Sequence, residues 1–194
     1  MIIIITSEKE IYNESKIINE LFQEGLDLLH IRKPLMSSDV MKDFIKSIDV
    51  EFHQRLVLHS HYDVANYFNI SGFHFREIDR QNNIHEFFID KIISTSVHDI
   101  QTFNKLKVKW NYAFISPVFQ SISKKGYGKG SNILNDIKKR DNQNAKLIAL
   151  GGIHENNINE VLKSNVDGVA LLGAIWENNQ PVEIFKKCRK NILS

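Results

Sequence analysis

Lys146-Leu147-Ile148-Ala149-Leu150-Gly151-Gly152, followed fifteen residues later by Gly168-Val169-Ala170-Leu171-Leu172-Gly173, is the stretch that decides the fold. Each half is an apolar run that stops on glycine. Between them, Asn156 to Lys163 is spaced as a short helix. An apolar run with no polar alternation reads as a strand covered on both faces, as in a parallel sheet. Two such runs joined by a helix make one βαβ unit.

The same unit recurs towards the N-terminus. Ile2–Ile5, Leu26–Ile31, Leu56–Leu58, Gly72–Phe75, Lys91–Ser96 and Tyr112–Ile115 read as six earlier strands. Helical spacing lies between them over 11–22, with Gly25 as its stop, and over 39–48. Further helices are expected at 64–67, from Asp99, from Ile133 and over 182–192. Eight strands alternating with helices predict a single (β/α)₈ barrel domain over residues 1–194, a TIM barrel of the α/β class. Closure leaves no strand edge exposed. An open doubly wound sheet is the alternative. It lacks support because no G-x-G-x-x-G follows the first strand.

Composition fits. Apolar residues are 42% of 194, and a chain this long buries roughly 70% of its unfolded surface. With 25 basic and 23 acidic residues the net charge is only +2, without the basic face of a nucleic-acid reader. No apolar run approaches a membrane span, and Ile2–Ile5 is too short for a signal-peptide core. One cysteine, Cys188, allows neither an internal disulfide nor a cysteine metal cluster. The expectation is a cytoplasmic protein that binds neither nucleic acid nor membrane. A homodimer is open, with no interface readable.

In such a barrel, chemistry sits at the carboxyl ends of the strands. The sequence places there His30, Arg32 and Lys33; His59, Ser60 and His61; Arg76, Glu77 and Asp79; Ser96 and His98; Ser116, Ser121, Ser123, Lys124 and Lys125; Gly151 and Gly152; and Leu172 and Gly173. Glycines at the last two strand ends let backbone N–H groups approach a phosphate, or else are plain tight turns. Arg32, Lys33, Lys124, Lys125 and Lys129 suit a ligand with several negative charges, or else a solvated loop. The glycines of 125–130 suit a lid. His59 and His61, two apart, would point the same way in a strand, but no third metal ligand stands beside them. Asp79 is the best carboxylate for Mg²⁺, which needs few protein ligands when phosphates supply the rest.

Leu29-His30-Ile31-Arg32-Lys33, Gly72-Phe73-His74-Phe75, Ser94-Thr95-Ser96-Val97-His98, Ser116-Pro117-Val118-Phe119, Ser121-Ile122-Ser123-Lys124, Ile148 to Ile153 and Asp167-Gly168-Val169-Ala170 together resemble the thiamine phosphate synthase/TenI superfamily. They stand in family order from near the first residue to about Ile175. The resemblance implies a transferase of thiamine biosynthesis that joins hydroxymethylpyrimidine diphosphate to thiazole phosphate and releases pyrophosphate. By motif position Arg32, Lys124 and Ser96 serve the diphosphate as the catalytic set, and Asp79 ligates Mg²⁺. Ser121 and Ser123 contact the substrates, and Gly152, Leu172 and Gly173 hold the thiazole phosphate. Lys33, His30, His59, His61, His98 and Gly151 complete the expected substrate-binding set.

The sequence also departs from the family. His59-Ser60-His61 stands where the synthase branch carries Asn-Asp, which removes a carboxylate from the Mg²⁺ site. His30 replaces a Gln, Pro34 a Lys and Ser116 a Gly. His30-Ile31-Arg32 is closer to the metal-free tautomerase branch, whose catalytic histidine after strand six falls on Pro117. A thiazole tautomerase and a non-catalytic thiazole-phosphate-binding or regulatory protein are therefore the alternatives.

Overall fold

The computed structural model describes residues 1–82, 90–107, 110–123 and 126–193. Its eight strands are β1 (Ile2–Ile5), β2 (Leu28–Ile31), β3 (Leu56–Leu58), β4 (Gly72–Phe75), β5 (Ile92–Val97), β6 (Tyr112–Ile115), β7 (Lys146–Leu150) and β8 (Gly168–Leu171). All pair in parallel with their sequence neighbours, and β1 also pairs with β8 through Ile3↔Ala170, so the sheet closes into a barrel. Five of the eight expected strands match in both bounds. The other three, β2, β5 and β8, differ by one or two residues at an end.

The helices are α1 (Glu14–Gln23), α2 (Ser38–Lys46), α3 (Glu77–Gln81), α4 (Ile100–Asn104), α5 (Ile133–Asp136), α6 (Ile158–Leu162), α7 (Gly173–Trp176) and α8 (Pro181–Leu193). Two of them are too short to show periodicity in the sequence: α3 follows β4 directly, and α7 begins at the glycine where β8 was expected to end. The segment expected as a helix at 64–67 is a 3₁₀ turn over Tyr62–Asn66.

Strand pleating sorts the core into two layers. Ile2, Ile4, Leu29, Ile31, Leu56 and Leu58 point outward and are sealed by Ile18, Leu21, Met41, Ile45 and Phe185 of the helices. Ile3, Ile5, Tyr112, Phe114, Ile148 and Ala170 point into the barrel. This alternation requires consecutive strand residues to face opposite sides. Gly72 faces inward where β4 meets β5 closely: a Cβ there would lie 2.1 Å from the Ile92 carbonyl oxygen. Cys188 is fully buried beneath α8, and burial pushes its thiol up to about 12, so it stays protonated.

The Lys33 ammonium lies 2.6 Å from the Glu14 carboxylate, with side-chain exposures of 3% and 8%. The Glu14 Oε1 atom is buried without a hydrogen-bond partner. Burial raises the Glu14 carboxyl above its usual range, against the lowering effect of Lys33. The pair ties α1 to the chain leaving β2. Removing one partner strands a buried charge, which typically costs about 3–5 kcal/mol, whereas replacing both with apolar groups is often near neutral. Chemical denaturation should therefore show Lys33→Met and Glu14→Leu each strongly destabilised. The double variant should be far closer to the parent than the sum of the two predicts.

Candidate active site

A cavity of about 640 Å³ opens at the carboxyl ends of the strands. Ten expected residues line it: Arg32, His59, Ser96, His98, Ser121, Ser123, Gly151, Gly152, Leu172 and Gly173. Lys124, together with Lys125, lies outside the described residues.

Four expected residues are elsewhere, each for a physical reason. Lys33 is held against Glu14 behind the strand, which corrects its expected place at the substrate. His61 does not share a face with His59 because β3 ends at Leu58, so the period of two stops there. With φ at 56°, His61 turns away, and its Nε2 bonds the Met36 carbonyl at 2.8 Å. His30 points inward but sits fully buried beneath the cavity floor. Asp79 accepts two bonds from the Arg76 guanidinium at 2.9 and 3.0 Å and one from the Arg76 backbone N–H at 3.1 Å. These bonds hold its carboxyl below the usual carboxylate range.

Arg32 is placed by its backbone N–H, which donates to Thr6 Oγ1 at 2.8 Å, while its guanidinium pairs with Glu8 at the rim. The His98 ring donates from Nδ1 to the Ser116 carbonyl at 2.9 Å, which fixes the ring beside the cavity. The glycine pair does more than admit a ligand. Phe119 N–H donates to the Gly151 carbonyl at 3.0 Å, and a Cβ on Gly152 would lie 2.3 Å from the Gln120 carbonyl oxygen. Gly152 also has φ at 66°, in the left-handed region. The pair thus lets the β6–α5 loop close down on β7. That loop turns at Gly126, Gly128 and Gly130, each with positive φ, and brings Tyr127 to the cavity wall.

The largest feature missed in the sequence is His74. It projects inward from β4, donates or accepts at Ser94 Oγ and Ser96 Oγ (2.9 Å each), and stacks on His59 at 4.3 Å. His30 joins the group: its Nδ1 is 2.9 Å from His59 Nε2, and its Nε2 is 2.7 Å from the Tyr112 hydroxyl. Phe114 packs against both His30 and His74. Parity within the strands was the available signal, since His30, His59 and His74 share the inward phase with Leu28, Val57 and Gly72. Arg76, Ser116 and Ile122 also line the cavity.

Burial keeps all three imidazoles neutral. It lowers His30 and His59 well below 6.5 and takes His74 to about 3, each ring or Arg32 nearby adding repulsion. The floor of the site is therefore polar but uncharged, beneath a rim where Arg32 pairs with Glu8 and Arg76 with Asp79.

The donor set is a poor fit for Mg²⁺. Among the described residues Asp79 is committed to Arg76, Glu77 pairs with Arg80, and the residue after β3 is the imidazole His59. One ring nitrogen from each of His30, His59 and His74, by contrast, lies within 4.8 Å of the others.

Comparison with known proteins places this architecture. The sequence model described as thiamine monophosphate synthase (TMP-TENI) matches residues 2–175. A thiamine-phosphate synthase of Clostridium tetani is 30% identical over 170 residues, covering 82% of this chain and 79% of that one. The solved thiamine phosphate pyrophosphorylase of Bacteroides thetaiotaomicron superposes with a TM-score of 0.81 at 27% identity, covering 98% and 96% of the two chains. That of Pyrococcus furiosus reaches 0.82 at 19% identity, a likeness of fold.

The neutral histidines make stability depend on pH. Their folded pKa values are depressed, so the stability they allow is full above about 6.5 and is lost as pH falls towards 3, where the unfolded chain takes up protons that the folded one refuses. The urea midpoint should fall steadily between about pH 7 and pH 5, above the carboxylate range. His74→Phe, which keeps the stack on Phe114, should flatten that fall.

Proposed function

The chain belongs to the thiamine monophosphate synthase family, and from that premise we propose that it joins hydroxymethylpyrimidine diphosphate to thiazole phosphate, releasing pyrophosphate in thiamine biosynthesis. The observation that supports this reading is the meeting of two guanidinium groups, Arg32 and Arg76, with a neutral, aromatic floor in one cavity of about 640 Å³, a volume typical of small-ligand sites.

The reaction breaks the C–O bond to the diphosphate, which leaves with the electron pair. The thiazole nitrogen lone pair then forms the new C–N bond to the pyrimidine methylene. Negative charge grows on the leaving group, and positive charge grows on the pyrimidine. Arg32 and Arg76 line the cavity to receive the first, and Lys124 is expected to do so from its motif position alone. Ser96 adds a hydroxyl. Below, Phe114 offers a ring face to the cation, and the neutral His59 and His74 add no positive charge to oppose it. At the ends of β7 and β8, Gly152 and Gly173 line the cavity where the thiazole phosphate would be held, and Ser121 and Ser123 are in the same wall. Each of these roles is assigned to the chain's own residues, because Asp79, the expected Mg²⁺ ligand, is held by Arg76.

One observation favours a second reading, an isomerase that moves protons on a thiazole carboxylate phosphate. Tyr112, His30 and His59 form a hydrogen-bonded line from the barrel interior to the cavity.

Pyrophosphate release, measured with each substrate alone and both together, separates these readings. Release that needs both substrates and falls about 100-fold or more in Arg32→Ala or Lys124→Ala is the expected result. Proton exchange on the thiazole without pyrophosphate release, abolished by His59→Gln, would establish the isomerase. Thiazole phosphate binding without turnover of either kind would leave a binding or regulatory protein. Repeating the assay with a chelator reads the metal requirement. A rate that survives follows from Arg76 holding Asp79, and a rate that collapses means that Asp79 gives up the guanidinium.

A further inference from the structure

We propose that His30, His59 and His74 form a binding site for one transition-metal dication of the Zn²⁺ class at the cavity floor, with a fourth position open to the cavity. β2 and β4 each contribute one inward-facing imidazole, His30 and His74, and His59 stands at the residue just past β3; a ring nitrogen of each lies within 4.8 Å of the others. A tetrahedral zinc site with Zn–N bonds of about 2.0–2.1 Å sets its nitrogens roughly 3.3 Å apart. His30 Nδ1 and His59 Nε2, at 2.9 Å, already stand close to that spacing.

The surrounding contacts are those that orient metal-binding histidines. A ligating imidazole ordinarily has its second nitrogen held by a neighbouring polar group, which fixes ring and tautomer. Tyr112 holds His30 Nε2 at 2.7 Å, and Ser94 holds His74 Nδ1 at 2.9 Å. Those bonds leave His30 Nδ1 and His74 Nε2 facing the cluster. Convergence needs one movement: His59, stacked on His74 at an interplanar angle of 22°, must turn its ring out of the stack. It is half-buried and borders the cavity, so it has room to do so about a soft terminal torsion. His74 Nε2 would exchange its bond to Ser96 Oγ for the ion. Three imidazoles and an open position suit Zn²⁺, Co²⁺ or Ni²⁺ and disfavour Mg²⁺. The fourth ligand would be water or an anionic oxygen of a molecule in the cavity.

Tag-free protein, stripped with a chelator and desalted, is titrated with ZnCl₂ by calorimetry and with CoCl₂ by visible absorption, with no substrate present. One equivalent per chain, with the visible bands of four-coordinate Co²⁺, is the expected result. His59→Ala and His74→Phe should weaken binding about 100-fold or more. His61→Ala, outside the cluster, should leave it unchanged. Because His30 and His74 are buried, the decisive readout uses the parent chain: with ¹⁵N-labelled histidine, three of the eight histidines should shift a ring nitrogen on Zn²⁺ addition. No stoichiometric binding, binding indifferent to His59→Ala, or shifts confined to other histidines would each overturn the site. None of these measurements involves turnover, so their failure leaves the synthase reading untouched.

Discussion

Closure of eight parallel strands imposes one constraint on which the rest depends: every second residue of each strand must be accommodated inside a narrow barrel. At most positions the interior takes aliphatic side chains, such as Ile3, Ile148 and Ala170. On β2, just past β3 and on β4 the same phase delivers His30, His59 and His74, with Tyr112 and Ser94 opposite as partners. Inward-facing polar groups cannot be left unpaired at this depth, so each ring takes its hydrogen bonds from another strand's inward residue. The polar network and the barrel wall are thus one structure, and the cavity above inherits a floor that is rigid, polar and uncharged.

That floor sets the electrostatics of the site. Cationic groups remain at the rim, where Arg32 reaches water and Arg76 is mostly exposed, while burial removes charge from the imidazoles below. A rim bearing guanidinium groups above a neutral aromatic base suits a substrate that carries a diphosphate at one end and develops positive charge at the other.

Strand positions were legible because covered parallel strands are written as apolar runs bounded by glycine, as in Lys146–Gly152. Cavity residues on strand phase followed from that, including Arg32, His59 and Ser96. What failed did so where strand periodicity ends. His61 was expected beside His59, but β3 stops at Leu58 and the chain turns through a left-handed residue. Lys33 was counted among the ligand-binding cations because charge in a sequence does not reveal its partner, and Glu14 is nineteen residues away. His74 was read only as part of a motif, since pairing between strands is needed to see that it meets His30 and His59. The short helices α3 and α7 carry no periodicity to read.

One departure from the family resemblance and one contact bear on the metal. His59-Ser60-His61 stands where Asn-Asp is expected after β3, and the remaining carboxylate, Asp79, holds Arg76. A guanidinium carries a fixed positive charge with directional donors, and it needs no ion to be recruited. It can meet a diphosphate at the rim where a hydrated Mg²⁺ would otherwise bridge. The imidazole just past β3, meanwhile, completes a nitrogen-rich cluster with β2 and β4. Imidazole nitrogens suit a softer ion than the hard, water-keeping Mg²⁺, so the floor is where the proposed dication would sit.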